Sequence, residues 1–272
     1  MLITHSVQAR DLPDLWFQAV HGILEKGRRF VIDRGSYAGQ MRLEYDYFFG
    51  HILNPGFGAG TNDILPQIPA SVGIPNPVDL AYVYGGEGYS RSYVEYVMTA
   101  RKELGESYTY GERLTKFPIS VNSAVFYFAD RNKDILIQDS EIWNTSQIII
   151  REAKQSFLNQ IEFVIWVYKN KGFRNNQLVL QVAQPSDLVL QDPPCLRQID
   201  TRIQDGKLHF FVYFRSWDLW GGLPANLAAI QFLKEYMASE IGVEDGEMIV
   251  ESKGLHLYGY AEDLAKMRCL KT

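Results

Sequence analysis

The chain reads as a single α+β domain spanning residues 1–272, and three observations carry that reading. Helical and strand-like patterns are interspersed without a regular strand–helix–strand period. An Asp205-Gly206 pair joins two alternating runs, 198–204 and 207–214, which is the strongest short hairpin signal available. With 272 residues, 46% of them hydrophobic and 22% charged, the chain can bury a sizeable core, and no shift in composition marks a boundary inside it. Helices should pack against a mainly sequential sheet.

In order, residues 2–7 read as an opening strand. Residues 11–26 place Leu12, Leu15, Trp16, Ala19, Val20, Ile23 and Leu24 at helical spacing, with Asp11 as the cap, Pro13 in the first turn and Gly27 as the stop. Asp33-Arg34-Gly35-Ser36 is a turn presenting a basic side chain, and 40–53 alternates as a strand. Residues 54–77 are rich in glycine and proline and read as a long surface loop. Neither its GFGAG nor the GGEG at 85–88 stands between a strand and a helix, so neither has the frame of a phosphate loop.

Residues 89–104 read as a helix, 108–114 (YTYGERL) as an aromatic turn, and 120–137 as two short strands around 130–133. The longest helical pattern is 145–168, apolar enough to be mostly buried and ended by Gly172. Arg174-Asn175-Asn176 turns the chain into a strand at 177–182. Beyond the hairpin come a helix at 224–241 with a proline at its start, a final strand at 247–258, and a helical tail from Ala261.

A net charge of -5 argues against a general nucleic-acid or anionic-membrane surface, so an anionic ligand needs a local arginine cluster. Two cysteines are too few for a disulfide framework and fit a reducing cytoplasm. The N-terminus lacks a signal pattern and no run approaches a membrane span, which points to a soluble intracellular protein.

The chemistry concentrates between Asp192 and Tyr258. Cys195 follows two prolines in a loop just before a strand. A free cysteine is more often a buried hydrophobe than a nucleophile, but Arg197 and Arg215 lie close enough in sequence to favour a thiolate. Arg215-Ser216, just after a strand, combines a guanidinium fork with a hydroxyl and suits a phosphate; equally it is a surface arginine paired with Asp218. Asn226, early in a helix, offers the donor and acceptor that match a uracil edge, or is simply a helix-start residue. His256 and Tyr258, at i and i+2 of a strand, share a face and could share one hydroxyl or satisfy each other.

Taken together, Pro194-Cys195, Asp205-Gly206-Lys207-Leu208, Arg215-Ser216-x-Asp218, Gly222-Leu223-Pro224-x-Asn226 and His256-Leu257-Tyr258 resemble the catalytic half of the thymidylate synthases and their pyrimidine-hydroxymethylase relatives. From Cys195 the offsets of 20, 31, 61 and 63 residues fall on Arg215, Asn226, His256 and Tyr258 without a gap. YTYGERL resembles the aromatic turn of the shorter archaeal-type members, and Asp33-Arg34-Gly35 their phosphate-loop arginine.

The resemblance implies a large twisted mixed sheet with packed helices, a homodimer formed through a face of that sheet, and a cytoplasmic enzyme of dTMP biosynthesis that needs no metal. Cys195 would add to C6 of dUMP, and C5 would then take the one-carbon unit of 5,10-methylenetetrahydrofolate. Arg34, Arg215 and Ser216 would hold the 5'-phosphate, with Arg174 reaching it from a partner chain. Asn226 would orient the base, His256 and Tyr258 would bind the 3'-hydroxyl, Asp218 and Gly222 would face the folate, and Tyr110 would help remove the C5 proton through water. Glu87 is the candidate for the family's catalytic glutamate, ahead of Glu95.

The sequence departs from the pattern in places. Asn175 stands where a second arginine is usual, Leu196 where a histidine commonly follows the cysteine, and the terminal MRCLKT lacks an apolar lid. A site more open to water would give a 5-hydroxymethyl product on dUMP, dCMP or CMP. A non-catalytic nucleotide-binding protein of the same fold is the reading from another class.

Overall fold

The computed structural model describes residues 1–33, 37–56, 92–119, 127–130, 133–136, 148–152 and 155–271. Its centre is a six-stranded mixed sheet built from β1 (Thr4–Ala9), β4 (Tyr47–Ile52), β10 (Val179–Gln181), β11 (Leu196–Gln204), β12 (Lys207–Phe214) and β14 (Glu244–Ser252). The strand order is β1-β4-β14-β12-β11-β10, with β1·β4 and β14·β12 parallel and the other pairs antiparallel. The expected sequential sheet is therefore interrupted, because β14 inserts between β4 and β12. Each strand alternates buried and half-buried positions, so one face packs on helices and the other carries Phe49, Phe211, Tyr213 and Ile249.

The 205–206 hairpin forms as the sequence predicts. Asp205 and Gly206 both take positive φ, 52° and 75°, which pairs Gln204 with Lys207 and sets the β11·β12 register. Helix α1 (Leu12–Lys26) is capped by the Asp11 side chain and buries Leu15, Trp16, Ala19 and Ile23. The 20-residue α5 (Gly222–Ile241), buried along most of its length, packs on β12 and β14 and contacts α1 and α4 (Gln160–Lys171).

Several expected boundaries move. The 40–53 run is two strands, β3 (Met41–Tyr45) and β4, and the 247–258 run is β14 and β15 (Leu255–Tyr258) divided at Gly254, whose φ is 85°. Of the helix expected at 89–104, the described part, 92–104, forms only α2 (Tyr93–Met98), and the aromatic turn is α3 (Tyr110–Thr115), capped by Thr109. The largest correction is at 145–168, expected as one helix. Its first part forms β8 (Ile149–Glu152) and β9 (Gln155–Leu158), a hairpin carried by consecutive β-branched isoleucines, and α4 starts only where Asn159 caps it. β6 (Tyr127–Asp130) and β7 (Lys133–Leu136) pair as anticipated, β5 (Phe117–Ile119) joins β9, and α6 (Gly259–Arg268) forms the helical tail. The 54–77 loop beyond Gly56, with the rest of GFGAG, and the GGEG at 85–88 lie outside the described residues.

A second, four-stranded sheet runs β13 (Trp217–Asp218), β15, β3 and β2 (Arg28–Val31). Its register aligns Asp218, His256, Glu44 and Arg28 in one row and Tyr258, Arg42 and Phe30 two rows on, so these side chains share a face.

Candidate active site

Cys195 is half-buried at the start of β11, and its backbone is pinned at the carbonyl. The carbonyl of Cys195 accepts from the Arg215 amide at 2.8 Å, which places the arginine leaving β12 beside the cysteine. The Arg215 guanidinium then folds back over the approach loop. Its Nε donates to the Pro194 carbonyl at 3.2 Å and its Nη2 to the Pro193 carbonyl, and it pairs with Asp192 at 3.4 Å. The alternative partner, Asp218, is occupied elsewhere. The two prolines thus present carbonyls to a guanidinium, and the thiol follows directly behind them.

Burial pushes the Cys195 thiol above its ordinary value. Arg215 pulls it down, Asp192 pushes it up, and Arg197 pulls it down more weakly. Attraction to the arginines alone would favour a thiolate; here desolvation outweighs it.

Tyr110 opens α3 with its hydroxyl accepting from the Leu196 amide at 3.2 Å, next to the thiol. Desolvation first, and then the nearby Cys195, raise this phenol well above its usual range. Its place depends on Gly111. A Cβ on Gly111 would stand 2.0 Å from the Thr99 carbonyl oxygen and 2.7 Å from the Thr99 nitrogen, both backbone atoms that cannot yield cheaply. We expect Gly111→Ala to force α3 away from the end of α2 and to cost about 1–3 kcal/mol of stability, read by denaturant unfolding.

Asp218 and Asn226 are held at the start of α5. The Asp218 carboxylate accepts from the amides of Trp220, Gly221 and Gly222 at 3.1, 3.2 and 2.9 Å, so it caps α5, and burial still raises its pKa. Asn226 accepts from Trp217 Nε1 at 2.8 Å and donates to the Tyr93 hydroxyl at 2.6 Å, which leaves one donor and one acceptor of its amide for a ligand. From Tyr93 the aromatic contacts run through Tyr96 to Tyr110, with ring centroids 5.2 and 5.1 Å apart. The half-buried Ser216 follows Arg215 directly, between β12 and β13.

His256 is 3% exposed. Its Nδ1 lies 2.9 Å from the Gly254 carbonyl, which can only accept, so Nδ1 carries the proton and Nε2 is left as a buried acceptor without a partner among the described residues. The Tyr258 ring stands edge-on to it at 4.7 Å and stacks on Tyr37 at 4.4 Å. The Tyr258 hydroxyl is raised to about 12, by burial first and also by Asp218 and Cys195, which places it within electrostatic reach of both.

Burial, with Arg42, depresses His256 to about 4. A histidine kept neutral in this way stabilises the fold above its unfolded value near 6.5, and the contribution is lost as pH falls toward 4. Relative to His256→Gln, the native chain should lose about 3 kcal/mol over that window, measured as the difference between two unfolding-versus-pH curves.

Cys195, Tyr110, Arg215 and Tyr258 therefore converge, with Asp218, Asn226 and His256 on elements adjoining them. Arg174 does not join this group. It lies with Arg202 on a cavity of about 360 Å³ at the 173–176 turn and the 205–206 hairpin, and neither guanidinium has an ion-pair partner among the described residues. Arg34 and Glu87 lie outside the described residues.

A family model described as thymidylate synthase matches residues 90–271, more than half of the chain. The chain belongs to the thymidylate synthase family. It is 25% identical over 260 residues to a protein of Methanosarcina acetivorans named "Putative thymidylate synthase", covering 96% of this chain and 92% of that one. A protein of the same name from Methanothermobacter thermautotrophicus is 22% identical over 256 residues, covering 94% of each chain. A "Thymidylate synthase" of Listeria monocytogenes is 29% identical over 131 residues, 48% of this chain and 39% of that protein. The mixed sheet and six helices described above are thus those of a thymidylate synthase-like fold.

Some residues in this site escape a reading of the sequence. Tyr93 gives no motif signal, yet it holds Asn226. Arg113 and Asp187, also unflagged, form an ion pair of 2.8 Å behind the cysteine loop. The helical spacing of Tyr110 and Arg113 is the one hint, since i and i+3 share a helix face.

Proposed function

We propose that this chain is a thymidylate synthase in the strict sense, transferring the one-carbon unit of 5,10-methylenetetrahydrofolate to C5 of dUMP and releasing dTMP. The observation that supports it best is the convergence of one half-buried thiol with the Arg215 guanidinium and the Tyr110 and Tyr258 phenols. The Cys195 sulfur forms a bond to C6 while electron density moves to C5, which bonds the one-carbon unit. C5 then loses its proton, the tetrahydrofolate is eliminated and returns a hydride to the exocyclic methylene, itself becoming dihydrofolate, and the sulfur–C6 bond breaks to release dTMP. Tyr110, hydrogen-bonded beside the cysteine, directs the water that takes the C5 proton; Glu87 is the second candidate for that proton path.

Arg215, Ser216 and Arg34 hold the phosphate, a remote contact that fixes C6 over the sulfur. The free donor and acceptor of Asn226 read the uracil edge. The unpartnered Nε2 of His256 suits a donating hydroxyl, and Tyr258 on the same face completes a sugar contact. Asp218 and Gly222, joined at the start of α5, face the folate; the carboxylate keeps a lone pair for a ring N–H after its three backbone bonds. Two copies meet through the sheet face bearing Phe49, Phe211, Tyr213 and Ile249, and Arg174 serves the partner's phosphate. The exposed Arg202 beside it restores a second guanidinium where Asn175 removes one.

The test is release of tritium from 5-tritiated dUMP with methylenetetrahydrofolate, run in parallel with dCMP, UMP and CMP, and mass analysis of the product. A methyl product from dUMP is expected. A hydroxymethyl product would make the chain a pyrimidine-nucleotide hydroxymethylase, and nucleotide binding without tritium release would make it a binding protein.

A further inference from the structure

Behind the cysteine loop lies a carboxylate that none of the substrate contacts uses. Asp187 is 1% exposed. Its Oδ1 accepts from Arg113 Nη2 at 2.8 Å, and its Oδ2 accepts from the Gln184 amide at 2.8 Å and from Arg197 Nη1 at 3.4 Å. Both arginines extend the network toward the thiol. Arg197 Nη1 also donates to the Pro194 carbonyl at 3.2 Å, the same oxygen that Arg215 Nε reaches. Arg113 belongs to α3, three residues after Tyr110, donates to the Val182 carbonyl at 3.3 Å and lies over the Tyr108 ring at 5.7 Å.

We propose that Asp187 is a positioning residue for Cys195, tying the helix that carries Tyr110 to the loop that carries the thiol. Apart from it, the hydrogen bond that joins α3 to the chain beside Cys195 is the one from the Leu196 amide, the first of β11, to the Tyr110 hydroxyl. With it, Arg113 fixes α3 and Arg197 fixes Pro194 against a single buried anion. Such a charge cannot shift without stranding two guanidinium groups. The distance from the phenol to the sulfur is thereby set by a rigid path rather than by one bond.

Asp187 also restrains Arg197. Arg197 lowers the thiol's pKa, together with Arg215, while Asp192 and burial raise it; among the described residues, the phenols of Tyr108, Tyr110 and Tyr258 are the other titratable groups coupled to the sulfur. Releasing Arg197 from its anion should strengthen its pull on the thiolate, and removing Arg197 should abolish it. The two changes therefore move the thiol in opposite directions, and a fall in kcat with KM held separates a positioning carboxylate from one that acts on the thiol through charge alone.

The inference rests on Cys195 being the nucleophile, so its test has an arm that needs no turnover. In Asp187→Asn and Arg197→Met, the pH dependence of iodoacetamide alkylation is followed at the Cys195 peptide by mass spectrometry, alongside kcat and KM for tritium release. We expect the alkylation midpoint to fall in Asp187→Asn and rise in Arg197→Met, changing the rate at neutral pH by about threefold or more in each direction. We expect kcat to fall on the order of 10²-fold in Asp187→Asn, with KM for the nucleotide within about twofold of native. Midpoints that stay at the native pH in both folded variants, or native kcat in Asp187→Asn, would overturn the proposal. Should Asp187→Asn not fold, Arg113→Met decides, since it cuts α3 from Asp187 while the Gln184 amide and Arg197 still satisfy the carboxylate: a lowered kcat with a near-native alkylation midpoint is expected, and a native kcat would overturn the proposal. If Cys195→Ser turns over normally, the nucleophile reading fails, while the alkylation shifts still report whether Asp187 acts on the thiol.

Discussion

Cys195→Ser is expected to lower tritium release from 5-tritiated dUMP by about 10³-fold or more while leaving the fold intact, because a covalent step loses its nucleophile. Serine fills almost the same volume in a half-buried position, and the contacts that hold this residue are made by its backbone. The Cys195 carbonyl would still accept from the Arg215 amide, and the Leu196 amide would still donate to Tyr110. Denaturation curves should therefore nearly coincide. The other cysteine, Cys269, is 9% exposed and sits at the end of α6, so it cannot substitute for the lost sulfur. Tritium release by the serine variant at the native rate would mean that the sulfur does not attack the ring. The convergence of Tyr110, Tyr258 and Arg215 on it would then need another explanation.

How much of this was legible beforehand depends on the range of the interaction that decides each feature. The hairpin at 205–206 was readable because a two-residue turn with positive φ is a local requirement, met by Asp and Gly. The order of Cys195, Arg215, Asn226, His256 and Tyr258 was readable because strands and α5 of defined length carry them. The 145–168 segment misled because its apolar residues satisfy a helical count. Consecutive isoleucines and an Asn159 cap, both weaker signals, chose a hairpin and then a helix. Arg215 was open between a phosphate site and an ion pair with Asp218, and neither alternative anticipated its bonds to two proline carbonyls. Those bonds, like Asp187 between Arg113 and Arg197, join segments far apart in sequence, and no periodicity records them. The interrupted strand order is of the same kind: only packing places β14 between β4 and β12.

Arg215→Ala should be nearly as damaging as loss of the sulfur, and the way it fails should separate two roles. The guanidinium restrains the Pro193–Pro194 carbonyls through its Nε and Nη2, and it is the largest influence lowering the thiol's pKa. Its removal should raise the pH midpoint of Cys195 alkylation, since burial and Asp192 then act with only Arg197 opposing them. Loss of a charge-assisted phosphate contact adds a binding defect. Together they should cost about 3–4 kcal/mol of transition-state stabilisation, or roughly 10²–10³-fold in kcat/KM. Arg215→Lys keeps the charge but not the fork, so it should hold the alkylation midpoint near native while KM for dUMP remains raised. Arg197 still donates to the Pro194 carbonyl in both variants, which limits loop disorder as a cause. If lysine restored kcat/KM fully, charge alone would suffice and the bidentate geometry would be irrelevant to catalysis. If alanine left the midpoint unmoved, the thiol would owe nothing to Arg215, and the nucleophile would have to be activated only after substrate closes over it.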